Sequence, residues 1–84
     1  MTKEELHNSI HIVATSMDPK EIQKHRAIIN TFLTEKSLHD SDLVQDWNKL
    51  VDTRVGEAAR NLDSPNISAK LNHISSIIDI LGLL

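Results

Sequence analysis

Glu4, His7 and His11 stand at i, i+3 and i+7 near the start of the chain. On a helix that spacing gathers a carboxylate and two imidazoles on one side, and both groups are ordinary ligands of zinc or iron. The Glu4 to His7 step is also half of the arrangement through which di-iron bundles hold their metals. Such bundles need two Glu-x-x-His motifs and two further inward carboxylates, and no second Glu-x-x-His occurs here. The three residues also lie off the apolar stripe of Leu6, Ile10 and Val13. They are therefore expected on a solvated face, and no metal site is assigned.

Other chemistry is as thinly supported. Ser16, Ser37, Ser41 and Ser64 fall mostly where helix caps and turns are expected, positions at which hydroxyls satisfy backbone amides. None sits in a glycine-bearing nucleophile elbow. With Gly56 and Gly82 as the two glycines, neither a phosphate-binding loop nor a dinucleotide fingerprint can be written. No cofactor and no catalytic residue are assigned, and the chain is expected not to be an enzyme.

Two side chains break the apolar pattern around them. His25 falls among Ile22, Ile28 and Ile29 and is expected to pack its ring while bonding through its tip. Trp47 and Arg54 share one side of a helix with Leu50 and Ala58. A guanidinium there must snorkel, find a carboxylate or meet a partner. Since Trp with Arg is a common hot-spot combination, Trp47 and Arg54 are candidate partner-binding residues.

The elements that would carry these groups are helices. Glycine and proline occur only twice each, and strict apolar/polar alternation never lasts five residues, so strands have little support. Helix starts recur: Thr2 with Glu5, Asp18 with Glu21 before Pro19, Asp40-Ser41-Asp42, and Asp63-Ser64-Pro65. They mark four helices, at about 3–16, 19–35, 42–61 and 65–82. Each has an apolar side: Leu6, Ile10, Val13 and Met17; then Ile22, Ile28, Ile29, Phe32 and Leu33. The third holds Leu43, Val44, Trp47, Leu50, Val51, Ala58 and Leu62, with Gly56 opposite. The fourth holds Ile67, Leu71, Ile74, Ile78 and Leu81. Short connections force neighbours antiparallel, so the expected fold is all-α, one small up-down bundle of four helices spanning residues 1–84. Its radius of gyration should be roughly 12 Å.

Composition sets the function classes. Ten Ile and ten Leu stand against one Phe and one Trp, which suits helix packing and offers little material for stacking unpaired bases. The net charge is −3, from nine Lys plus Arg and twelve Asp plus Glu. Nucleic acid is therefore disfavoured as a partner. As a helix-turn-helix reader the chain would present Asp40, Asp42 and Asp46 to phosphates. The alternative kept open is a small nucleic-acid-associated regulator using Lys20, Lys24 and Arg26 on the second helix. There is no cysteine and no run of the ~20 apolar residues that spans a bilayer. The opening residues lack the apolar core of a secretory signal. A cytoplasmic location without membrane contact is expected, and the sequon Asn66-Ile67-Ser68 is read as incidental.

The closing stretch SIIDILGLL carries a surplus. Beside the first apolar row, Ile77, Ile80 and Leu84 form a second one at i, i+3 and i+7, about 80–140° around the helix. Either the fourth helix is wedged centrally and is the most buried of the four, or this row meets another molecule. The second choice makes Ile77, Ile80 and Leu84 an apolar anchor, with Asp42 and Asp46 as a polar rim. The function expected is a non-enzymatic protein–protein interaction module, of the adaptor, inhibitor or assembly-domain kind, binding a protein partner or forming a homodimer.

Overall fold

The computed structural model describes residues 1–36 and 41–82; Ser37, Asp40 and Leu84 lie outside them. Four helices follow one another: α1 (Lys3–Thr15), α2 (Pro19–Glu35), α3 (Asp42–Ala59) and α4 (Pro65–Ile80). Local chemistry accounts for each start. The Thr2 hydroxyl oxygen accepts from the Glu5 amide at 3.1 Å, and its proton goes to the Glu5 carboxylate at 3.1 Å. Asp18 accepts from the Lys20 amide at 3.0 Å, with Pro19 in the first turn. Ser41 accepts from Val44 at 3.3 Å. Pro65 opens α4, but Ser64 makes no side-chain cap bond and its Oγ is buried without a partner among the described residues.

The helix ends differ from the sequence expectation in an informative way. The apolar pattern carries the third helix to 61 and puts Leu62 in its stripe, whereas α3 stops at Ala59 and Leu62 is half exposed. Asn61 adopts the left-handed conformation, φ 58°. Its amide donates to Ala58 O at 3.0 Å and that of Leu62 to Glu57 O at 2.8 Å. This Schellman closure satisfies carbonyls the last turn would otherwise orphan. Likewise α4 ends at Ile80 rather than 82, with Gly82 left-handed at φ 68° and its amide on Asp79 O at 3.0 Å.

Side-chain bonds fix the helix directions. Arg26 and Asn30 of α2 reach Asp52 and Asn48 of α3 in reverse order. His7 meets Ser75 and Asp79, while Ser68 meets the carbonyl of Ala14, so α1 and α4 are antiparallel. Arg54 and Ser68 both bond that Ala14 carbonyl, so they stand at one level of α3 and α4. The result is a four-helix bundle with a radius of gyration of 11.9 Å. Its core contains Leu6, Ile10, Val13, Ile22, Ile29, Leu33, Trp47, Val51, Leu71 and Ile78, all fully buried.

The central helix is α1, which packs on all three others, while the α3–α4 seam is thinner than the α1–α2 and α1–α4 seams. The alternative of a wedged, most-buried fourth helix is corrected accordingly. Leu71, Ile74 and Ile78 face inward, but Ile77 is half-buried and Ile80 is 83% exposed. One core contacts one stripe of a helix, and the second row turns too far around α4 to join it. Among the described residues no helix is long and apolar enough to cross a membrane.

Candidate interaction surface

Three polar clusters knit the bundle, and each consumes residues that the sequence leaves available for other work. The first is around Arg54, which is 2% exposed. Its Nε donates to Ala14 O at 3.0 Å, and its Nη2 donates to Ser16 O and lies 3.9 Å from Met17 Sδ. The last turn of α1 holds no basic residue, so Arg54 supplies from α3 the cation that the negative end of the α1 dipole favours. Among the described residues neither snorkelling nor a carboxylate is involved; the charge rests on backbone carbonyls. Trp47 is fully buried two turns earlier on the same face, its Nε1 without a hydrogen-bond partner among the described residues. Trp47 and Arg54 are therefore corrected from surface contacts to interior residues, because the apolar side they share is the one α3 turns to its neighbours.

The second cluster joins His7, Ser75 and Asp79. His7 Nε2 lies 2.8 Å from Asp79 Oδ2, and His7 Nδ1 lies 2.6 Å from Ser75 Oγ. A carboxylate can only accept, so Nε2 is the donor nitrogen. The connectivity is that of a serine hydrolase triad, but its setting differs. Ser75 is 4% exposed and sits inside a continuous helix whose amides are spent on helical bonds, so among the described residues no backbone amides of that helix are left to hold a substrate oxyanion beside it. The cluster clamps the start of α1 to the end of α4. His7 thus leaves the solvated face expected for it, while Glu4 and His11 remain exposed. Among the described residues no three metal-ligating side chains converge.

The third cluster seals α2 to α3. Arg26 donates to Asn48 Oδ1 and Asn48 O, both at 3.0 Å, and to Asp52 Oδ1 at 2.5 Å. Asn30 adds a bond to Asn48 Oδ1 at 3.0 Å. With its side chain 17% exposed, Arg26 is withdrawn from the basic patch considered above, leaving Lys20 and Lys24 exposed around Glu21. His25 behaves as its neighbours imply: it is half-buried, with Nδ1 3.1 Å from Ser9 Oγ.

An uncommitted surface lies between α3 and α4. An open groove of about 560 Å³ runs there, with Leu43, Leu50, Ile74 and Ile77 along its floor and Ala69 in its wall. Its rim carries Asp46 and Lys49 from α3 and Lys70 and His73 from α4, all four exposed. One turn past Ile77 the row continues to Ile80, and Leu81 beside it is 53% exposed. No family model, curated protein or solved structure matches the chain.

Of the residues singled out from sequence, Ile77 and Asp46 share this groove, Ile80 extends it, and Asp42 is exposed at the first turn of α3. Leu84 is outside the described residues. Leu43, Leu50 and Ile74, placed in the core by periodicity, turn out to supply the groove floor as well. A stripe wider than one neighbour can cover was the available signal.

Proposed function

We propose that this chain is a non-enzymatic protein–protein interaction module whose docking surface is the α3–α4 groove together with Ile80. The observation that carries the reading is the continuity of an open apolar groove with a large aliphatic side chain 83% exposed at its end. Isolated surface leucines are common, whereas a concave apolar strip framed by charged residues is the anatomy of an interface core and its rim. Binding is favoured over catalysis because the polar groups with suggestive chemistry are turned inward to join helices, and those on the groove rim do not converge on a nucleophile.

The environment-sensitive dye anilinonaphthalene sulfonate tests the groove at about 1 µM protein, where weak self-association is negligible. Enhanced dye fluorescence is expected, falling several-fold in Ile77→Glu and in Ala69→Glu while far-ultraviolet circular dichroism stays helical. Ala69 is exposed, so the second variant reports on the groove even where the first disturbs packing. No enhancement, or enhancement equal in wild type and Ala69→Glu, overturns the reading.

A further inference from the structure

The ionisable groups that line the groove are sorted along it. Arg54, near the end of α3, and Ser68, near the start of α4, stand at one level, so the two helices run antiparallel and order along one is reversed along the other. The end of the groove nearer Arg54 is therefore bordered by Lys49 of α3 and by Lys70 and His73 of α4. The opposite end holds Leu43, Asp46 and Ile77, with Ile80 exposed beyond it. Lys49 and Lys70 are exposed, and neither has an ion-pair partner among the described residues, although Asp46 stands one turn from Lys49. A chain of net charge −3 thus gathers bases at one end of its apolar groove.

From this order we infer that the partner of the groove is an amphipathic helix of another protein, with Asp or Glu bordering one end of its apolar stripe. The inference rests on the docking surface proposed above and names its occupant. Both walls of the groove are helices, so an extended peptide would find no strand edge to pair with, whereas a helix satisfies its own backbone and needs only an apolar bed. From Lys70 to Ile80 the α4 wall rises about 15 Å, the length of about three helical turns. A partner stripe of that length would lie along Ile74 and Ile77 and end against Ile80, with its acids between Lys49, Lys70 and His73. Docked in the other direction, the same acids would meet Asp46, so the rim also sets polarity. The net charge of the whole chain favours a basic partner instead. At about 0.15 M salt, however, the field of exposed charges fades within about 8 Å, so the lysines beside the docked helix outweigh the distant acids.

Two synthetic helical peptides test the inference. They share one length and one leucine stripe and differ only at one end, where the first carries glutamates and the second lysines. Exposed ion pairs are worth about two- to threefold each, so by fluorescence anisotropy the glutamate peptide should bind at least about tenfold more tightly. Lys49→Glu with Lys70→Glu should invert that preference. Lys20→Glu with Lys24→Glu changes the net charge equally, at exposed positions of α2, and should leave the preference in place. Equal binding of the two peptides, tighter binding of the lysine peptide, or the same response to both pairs of reversals overturns the inference. Binding of neither peptide overturns it too. If the chain alone is then a dimer that Ala69→Glu breaks, the occupant is a second copy; if dye still binds a monomer, the docking surface stands without this partner. Loss of dye and peptide binding together removes both.

Discussion

Arg54 shows how a residue's chemistry can be legible while its address is not. The sequence correctly marks it as a charge on an apolar side. The carbonyls of Ala14 and Ser16 that receive it are forty and thirty-eight positions away in the chain, and no local pattern points to backbone acceptors. Arg54→Ala would leave the end of α1 without its cation and open a cavity where the buried side chain stood. A loss of about 2–4 kcal/mol is expected, read by urea denaturation with Trp47 fluorescence as the core probe. A loss under about 0.5 kcal/mol would show that the carbonyls re-solvate freely. Ser75 was overlooked for a related reason. A serine inside a helix reads as neutral filler, and only packing brings His7 to it.

At the scale of the element, starts were more legible than ends. Capping side chains are local, so Thr2, Asp18 and Ser41 could be picked out directly. The stop at Asn61 depends on one left-handed residue that composition marks only weakly. The four N-caps should not be equal. Asp18→Ala is expected to cost about 1 kcal/mol. Ser64→Ala should be neutral or slightly stabilising, since the Ser64 hydroxyl is buried without a partner among the described residues and its removal relieves a desolvated group. Equal losses from thermal unfolding of the two variants would contradict this assignment of caps. Gly56 offers a second check. It is exposed within α3, and a Cβ built there meets nothing within 4 Å. Gly56→Ala should therefore raise stability by about 0.5–1 kcal/mol, and a lower melting temperature would indicate that α3 needs the freedom of glycine at that point.

For the whole molecule, the all-α fold and its four helices follow from period and punctuation, and the inner stripe of α4 is the one expected at Leu71, Ile74 and Ile78, whereas Leu81 at its end is 53% exposed. What periodicity could not decide is which of two apolar rows on α4 the bundle would cover. That depends on the angle at which α3 and α4 meet, a product of all four helices together. The structure leaves Ile77 in a groove and Ile80 exposed beyond it, and the interaction reading is drawn from that choice. Ile80→Glu should therefore leave the melting temperature within about 2–4 °C of wild type while weakening dye binding at the groove. A globally unfolded variant would instead assign Ile80 to the fold. The most direct test is residue-resolved: amide nuclear magnetic resonance spectra of the wild type titrated with anilinonaphthalene sulfonate at a dilution where self-association is negligible. Shifts are expected along residues 43–50 and 69–81, with the α1–α2 side unchanged. Spectra that do not change, or changes gathered on α1 and α2, would contradict an interaction surface between α3 and α4.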